Sequence, residues 1–362
     1  MSLSVTIEEL ESFNMDIRTS YKNNNYTISV ANDILENKLK TWTEQYEDVF
    51  YLIDENVYAL YKDTKLKNIH SPIVVTGGES FKYASPLMNT IEKLLELGIK
   101  RNSLIVVIGG GATGDAGGMI ASLVLRGVDY IHIPTTLLAH DSAIGGKTAI
   151  NSLHGKNLIG SFYRPKAVIY DLDFLYSLSN DEKLSGFGEV FKHALLLSEI
   201  EVESLMKVTK DSIEIKDLTE FIISGIKLKM DIVTKDEHES GSRKFLNLGH
   251  TLGHAIEYQY KIPHGQAVML GILFSLYLSN EIYQQDFDLV KYYNFMAHHG
   301  YPVQLLQNMN EDDMIKLMQQ DKKNHQGDLI TFILFSDTNT LTLTDIKKSD
   351  LYDYLRRIKE TL

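Results

Sequence analysis

The 362-residue chain contains no cysteine. Disulfides and thiolate chemistry are both excluded, and the redox state of the compartment leaves no trace in the sequence. No apolar run approaches the length of a membrane span, and the N-terminus lacks the basic and apolar blocks of a signal peptide. Positive charge is in short supply: 36 Lys and Arg stand against 48 Asp and Glu, a formal net charge of -12. That balance argues against a broad nucleic-acid-binding surface, so an anionic ligand needs a local basic pocket. A cytoplasmic enzyme or binding protein is the expectation. With 44% hydrophobic and 23% charged residues the composition is that of an ordinary soluble protein, and the length allows a large core and two domains.

Residues 1–14 are polar and without pattern, and read as an extension. Short apolar runs at 49–53, 73–76, 104–108, 130–133 and 168–170 read as buried strands, after an alternating strand at 26–30. Helical periodicity falls between them at 33–46 and 86–97, the latter closed by Gly98. Strands alternating with helices predict an α/β domain over residues 15–178, built on a mostly parallel sheet. After residue 178 the period changes to about 3.6 and holds to residue 325, which predicts an all-α domain over 179–362. Residues 330–334 and 340–343 read as a late hairpin, and 349–361 as a closing helix.

The run at 104–108 enters Gly109-Gly110-Gly111-Ala112-Thr113-Gly114-Asp115. Strand, glycine turn and helix start together make a phosphate cradle, because bare backbone lets a pyrophosphate approach amide N–H groups at a helix N-terminus. The spacing is not the common Gly-x-Gly-x-x-Gly fingerprint. A tight strand-to-helix turn is the competing reading; three successive glycines followed by Gly-Asp favour a dinucleotide. Gly77 to Lys82 forms a second glycine turn at a strand end, and two such turns suit a nucleotide lying across the sheet. Further on come Pro134-Thr135-Thr136, then Asp141 to Lys147, then Gly155-Lys156-Asn157. Loop lysines beside glycine suit a phosphate or carboxylate, against the plainer reading of solvated surface lysines.

Histidine is concentrated between residues 243 and 265. His250 and His254 are four apart and share a helix face, with His264 close behind and Arg243 and Asn247 leading in. A catalytic divalent metal takes neutral imidazoles plus a carboxylate and keeps one position open. Histidines that merely pack are the alternative; the third histidine with the nearby Arg and Asn points to a metal or anion site. Glu189 and Lys192 share a face three residues apart, either as an exposed ion pair or with Glu189 as the acid that the histidines lack.

The ordered set resembles the 3-dehydroquinate synthase family. The resemblance rests on Gly-Gly-Gly-Ala-Thr-Gly-Asp, Arg126-Gly127-Val128, Pro-Thr-Thr-Leu-Leu, Asp-Ser-Ala-Ile-Gly-Gly-Lys-Thr, Gly-Lys-Asn-Leu-Ile-Gly-Ser-Phe, Gly-Glu-Val-Phe-Lys, Arg-Lys-Phe-Leu-Asn-Leu-Gly-His-Thr-Leu-Gly-His, His264-Gly265 and Asp321-Lys322-Lys323. It covers roughly residues 20–360 and implies an N-terminal nucleotide-binding α/β domain, a helical C-terminal domain and an active site between them. Bound NAD and a divalent metal, zinc or cobalt, are implied with it. Glu189, His250 and His264 fall on the family's metal ligands, and His254 on a substrate and proton-transfer position. Asp141, Lys147, Lys156, Asn157, Lys192, Lys229, Arg243 and Asn247 fall on substrate or active-site positions, with Lys322 or Lys323 completing the anion pocket. Glu79, Lys82, Gly111, Ala112, Thr113, Gly114, Asp115, Thr135 and Thr136 fall on NAD positions, with Asp141, Lys147 and Lys156 beside them. Arg126 matches an arginine that reaches the neighbouring subunit's phosphate, which implies a homodimer. Three departures stand next to these positions: Gly77 where the family often has Asp, Gln266 where it often has Glu, and Gly188 where Ala is usual.

The activity implied is conversion of 3-deoxy-D-arabino-heptulosonate 7-phosphate to 3-dehydroquinate and phosphate, by transient oxidation, elimination, re-reduction and aldol closure. Three rivals remain: a cyclase making another carbocycle, a metal-dependent alcohol or glycerol dehydrogenase, and a nucleotide-binding regulatory domain with a structural zinc. Lys229 and Arg243, as carboxylate holders, favour the dehydroquinate branch over an inosose-type substrate.

Overall fold

A computed structural model describes residues 15–320, 327–337 and 339–362. The N-terminal extension and the pair Lys322 and Lys323 lie outside the described residues. The chain divides into two compact units. One comprises Met1–Leu178 with Lys229–Lys235; the other comprises Ser179–Leu228 with Asp236–Leu362.

The first unit carries strands β1 (Met15–Arg18), β2 (Thr27–Ala31), β3 (Val49–Asp54), β4 (Ile73–Val75), β5 (Leu104–Gly109), β6 (Asp129–Pro134), β7 (Lys147–Ser152), β8 (Gly155–Phe162) and β9 (Ala167–Asp171). Its helices are α1 (Leu35–Thr43), α2 (Glu55–Tyr61), α3 (Ala84–Glu96), α4 (Gly111–Leu123) and the short α5 (Ala139–Ser142). Seven strands form one sheet in the order β1-β2-β9-β6-β5-β3-β4, parallel throughout except for β1. The unbroken apolar run of β5 is explained by its position: Ile105 and Val107 pack into a core with Leu87, Ile91 and Ile120, while Leu104, Val106 and Ile108 pack on the other face with Leu35, Val57 and Phe174. A strand covered on both faces has no polar side to present. The glycine turn, Thr135 and Gly77 all follow the C-terminal ends of parallel strands, where open α/β sheets bind ligands.

Two features depart from expectation. β1, a four-residue alternation of Met15, Asp16, Ile17 and Arg18 just past the extension, adds an antiparallel edge to the sheet. Lys147, Lys156 and Asn157 are not in loops: they sit on the antiparallel hairpin β7–β8, which forms a separate two-stranded sheet. The polar turn residues at 151–157 mask the strand signal on both sides.

The second unit is helical: α6 (Asn180–Leu197), α7 (Glu199–Val208), the first part of α8 (Thr219–Lys235), α9 (His250–Tyr260), α10 (His264–Tyr283), α11 (Leu289–His298), α12 (Gln304–Asn308), α13 (Glu311–Gln320) and α14 (Lys348–Thr361). It is helical rather than strictly all-α, because the late hairpin marked at 330–334 and 340–343 is present: β10 (Leu329–Asp337) and β11 (Thr340–Lys347) pair antiparallel, each running beyond the marked residues. Among the described residues no helix is long and apolar enough to cross a membrane.

α10 is the spine of this unit. Every residue from Gly265 to Ser279 is buried, so the helix is apolar all round rather than amphipathic. It touches α6 and α9 through glycines. A Cβ on Gly271 would lie 1.8 Å from the Gly249 carbonyl oxygen, one on Gly265 1.7 Å from the Ser185 oxygen, and one on Gly188 2.3 Å from the Gly265 oxygen. The glycine at position 188, where the family usually has alanine, thus fits the tight crossing of α6 and α10.

Gly271→Ala tests that packing. Helix propensity alone favours alanine by about 1 kcal/mol. The clash is with backbone, which cannot rotate away, so a net loss of about 1–3 kcal/mol is expected in urea unfolding. A midpoint at or above that of the wild type would show that the two helices separate at no cost.

Candidate active site

The second unit gathers the histidines and one acid. His250 is the first residue of α9, after Gly249 in the left-handed region at φ 79, and His264 is the first residue of α10, after Pro263. The turn between the helices is short and passes through Lys261 at φ 55. α10 opens without a side-chain cap of its own, and the Gly265 N–H donates to Ser185 Oγ on α6 at 3.1 Å. Both histidines are therefore fixed at helix starts. Their ring centroids stand 5.2 Å apart, and His254, one turn along α9, stands 5.2 Å from His250 and 5.7 Å from His264.

Glu189 on α6 supplies the carboxylate. Its Oε1 lies 3.7 Å from His250 Nε2 and 3.5 Å from His264 Nε2. Ligands held 2.0–2.2 Å from a zinc ion stand roughly 3.4 Å apart around a tetrahedron, so these separations fit a zinc-sized ion with little adjustment. The outer ring nitrogens are committed elsewhere: His250 Nδ1 contacts the Leu248 carbonyl oxygen at 3.1 Å, and His264 Nδ1 contacts Glu257 Oε2 at 2.8 Å. Such outer contacts fix the tautomer that leaves Nε2 as the donor to a metal. The three histidines also form a group whose candidate ligand atoms lie within 4.8 Å of one another, so geometry alone admits His254 as a ligand as well.

Charge in this cluster is polarised. Burial drives His250 well below its usual range, and Lys192, His254 and His264 add to this against the pull of Glu189. Burial also opposes protonation of His264, but its bonds to Glu189 and Glu257 prevail and hold it up at about 9. Lys192 Nζ is 2.5 Å from Glu189 Oε2, and both residues are only 1% exposed. The pair is thus not a solvated surface bridge; loss of either partner strands a buried charge.

The segment ahead of α9 is organised by Asp236, a residue with no obvious sequence signal. Its carboxylate accepts from the backbone N–H groups of Arg243 at 2.9 Å, Gly241 at 2.7 Å and Ser240 at 2.9 Å. These bonds, led by that from Arg243, hold its pKa down at about 2. Arg243 is 2% exposed and donates to the Glu237 carbonyl at 2.5 Å, and Asn247 donates to Glu239 at 2.7 Å. Glu239 and Glu257 are site neighbours that the sequence reading passed over. Glu257 is three residues beyond His254 and seven beyond His250, a spacing that signals a shared helix face.

In the first unit the glycine turn opens α4 with Gly110 as its N-cap and no side-chain cap, so amide N–H groups remain for a ligand. A Cβ on Gly114 would meet the His132 ring at 2.2 Å, which explains the glycine there by close packing. Thr113 Oγ1 donates to Asp54 at 3.0 Å, and the Thr135 N–H to the Gly109 carbonyl at 3.1 Å; Thr136 is half-buried beside Gly110. Gly111, Gly114, Asp115 and Lys147 line a cavity of about 10 Å³, room for one water. Glu79 and Lys82 sit on a single 3₁₀ segment, Gly78–Lys82, rather than in a turn. Lys82 Nζ, nearly buried, donates to Asp115 Oδ2 at 2.7 Å and to Asn157 Oδ1 at 2.5 Å. Burial raises the pKa of Asp115, against the pull of Lys82. Asp141 lies on α5, and Lys229 reaches its Oδ1 at 3.0 Å and its carbonyl at 2.6 Å. Lys156 is exposed on β8. Arg126 is exposed too, at φ 65 beside Leu125 at φ 50, two consecutive non-glycine residues in the left-handed region.

Comparison with known proteins gives these arrangements a context. A family model described as 3-dehydroquinate synthase N-terminal matches residues 72–185, and one described as 3-dehydroquinate synthase C-terminal matches 186–324. The 3-dehydroquinate synthase of Staphylococcus haemolyticus (strain JCSC1435) is 46% identical over 344 residues, 93% of this chain and 97% of that protein. That of Staphylococcus aureus (strain JH9) is 40% identical over 354 residues, 95% and 99%. Among solved structures, a 2-deoxy-scyllo-inosose synthase in complex with carbaglucose-6-phosphate, NAD+ and Co2+ shares the fold at a TM-score of 0.83 and 24% identity, covering 95% of this chain and all of its own. The 2-epi-5-epi-valiolone synthase of Streptomyces hygroscopicus subsp. jinggangensis 5008, with NAD+ and Zn2+ bound, does so at 0.83 and 21%, covering 95% and 99%. Both halves of the family pattern and near-full-length relatives agree: the chain belongs to the 3-dehydroquinate synthase family of lyase-class cyclases.

Proposed function

We propose that the chain converts 3-deoxy-D-arabino-heptulosonate 7-phosphate to 3-dehydroquinate and phosphate, in the cytoplasm, as a homodimer carrying NAD and a divalent metal, zinc or cobalt. The observation that carries this reading is 46% identity to a 3-dehydroquinate synthase across 93% of the chain. The spacing of Glu189, His250 and His264 supports the metal, and solved relatives with NAD+ and Co2+ or Zn2+ support the pair of cofactors. When bound, NAD supplies a reversible hydride acceptor and the metal a Lewis acid toward the substrate hydroxyls, so oxidation and re-reduction cancel over a turnover.

The chain's own residues supply binding and orientation. Glu189, His250 and His264 hold the metal, with Glu257 and the Leu248 carbonyl turning the two rings. The N–H groups at the start of α4, with Gly111, Ala112, Thr113, Gly114, Asp115, Thr135 and Thr136, receive NAD, flanked by Glu79 and Lys82. Lys147, Asn157 and His254 hold the substrate phosphate, and Lys156 lies beside them. Lys229 and Arg243 take the carboxylate, Arg243 through its planar fork. Asn247 and Lys192 orient groups next to the metal, and Asp141 keeps the Lys229 ammonium in place. Lys322 or Lys323 completes the anion pocket. An inosose-type substrate has no carboxylate and leaves Lys229 and Arg243 without a task, which favours the dehydroquinate reaction.

The deciding assay is phosphate release from the heptulosonate phosphate with NAD in trace amount. Many turnovers per NAD are expected; NADH accumulating in step with product would exclude the internal redox cycle and favour a dehydrogenase. Glu189→Ala and His250→Ala should each lose retained zinc and turnover together, by metal analysis and the same assay. Full activity in a metal-free Glu189→Ala protein would remove the metal assignment. Arg126→Ala and Glu189→Ala should each be inactive alone, yet regain activity when unfolded together and refolded as mixed dimers, since one site then keeps both groups. No recovery on mixing would place Arg126 in its own subunit's site or outside the site.

A further inference from the structure

The hairpin β7–β8 is irregular at one place. Lys147, Thr148, Ala149 and Ile150 pair in order with Phe162, Ser161, Gly160 and Ile159, but the next pair is Ser152 with Gly155. Asn151 on β7 therefore faces three residues of β8: Lys156, Asn157 and Leu158. A bulge of this kind re-aims side chains and breaks the ladder locally. Here it carries two residues assigned above to the substrate and cofactor.

The ladder bond missing at the bulge is replaced by a side chain. The Asn157 N–H donates to Asn151 Oδ1 at 3.0 Å, with Asn157 held in the left-handed region at φ 55. The other end of the same amide is also engaged: Asn151 Nδ2 donates to Glu79 Oε2 at 2.6 Å. Asn151 itself is 3% exposed, while its partners Glu79 and Asn157 lie at the surface, so each bond is anchored at its Asn151 end in a part-buried position. The Asn157 side chain is gripped in turn by Lys82, which also binds Asp115. One buried amide thus joins the acid on the NAD side to the bulge on the substrate side. The Asn amide offers a donor and an acceptor on one planar group, with a shorter reach than Gln.

We propose that Asn151 is a positioning residue that sets the Lys156–Leu158 bulge through its oxygen and Glu79 through its nitrogen, so that NAD binding and substrate binding depend on the two ends of one side chain. The proposal rests on the roles assigned under the proposed function. In this role Asn151 acts through Asn157 and Glu79, the two residues its amide bonds.

The two ends separate by substitution. Asn151→Asp keeps the oxygen facing the Asn157 N–H but sets a carboxylate against Glu79. NAD Kd is expected to rise about tenfold or more, the worth of one hydrogen bond to a charged group, while KM for the heptulosonate phosphate at saturating NAD stays near that of the wild type. Asn151→Ala loses both ends, so NAD Kd and substrate KM should each rise about tenfold or more. Thermal unfolding is followed alongside, and if the alanine variant does not fold, the aspartate variant of equal size decides. Variants that unfold at lower temperature yet bind NAD and substrate as the wild type does would reduce Asn151 to a structural role and overturn the proposal. So would an aspartate variant in which both constants move together. A wild-type enzyme that neither binds NAD nor releases phosphate would instead bring down the proposed function, and this positioning role with it.

Discussion

The contact of three helix backbones at glycine is the constraint on which the histidine cluster depends. α10 can lie against α9 and α6 only because Gly249, Gly265, Gly271 and Gly188 bring no Cβ to the crossing points. Close approach shortens the distance from α6 to the starts of α9 and α10. It also buries Glu189, which then needs a cation or a proton to offset its desolvation. Lys192 supplies one positive partner within the same helix, and His264 is drawn toward the protonated form by the same carboxylate. A divalent ion would satisfy Glu189 and both imidazoles at once, and in doing so would displace the proton that His264 otherwise holds.

The first unit solves a different problem with different means. Its sheet is buried on both faces, so the polar chemistry is confined to the ends of the strands, where backbone N–H groups and turn residues meet solvent. The hairpin β7–β8 stands apart from that sheet and carries its cationic and amide side chains on an irregular ladder. Polar side chains replace regular pairing there: Asn151, Asn157, Lys82, Asp115 and Glu79 are joined in one chain of hydrogen bonds and an ion pair. Such a chain fixes geometry at the cost of tolerance, since removal of one member leaves the buried Asn151 or Lys82 short of a partner.

Local patterns in the sequence were enough for much of this architecture. The buried strands β3, β5, β6 and β9 are written as short apolar runs, because burial on both faces removes the need for alternation. The spacing of His250 and His254 dictates that their rings meet, because 3.6 residues per turn leave them no other relation. Strand β1 and the hairpin β7–β8 were not legible. β1 is only four residues long, and polar and glycine residues across 151–157 interrupt the strand pattern of β7 and β8. The β10–β11 hairpin was legible over 330–334 and 340–343, while Phe335 and Ile346, buried further along the two strands, stand among polar residues that hide the pattern.

The same division holds for the site. Which residue types are present, that no thiol is among them, and which histidines share a helix face were fixed by the order of residues, since these follow from composition and helical period alone. That Glu189 approaches His250 and His264, that Glu257 takes the outer nitrogen of His264, and that Asn151 spans from Glu79 to Asn157 were decided by tertiary structure. Those relations join segments up to 75 residues apart, from Glu189 to His264, and depend on helix crossings and a bulge whose geometry is set by packing, which no local pattern encodes.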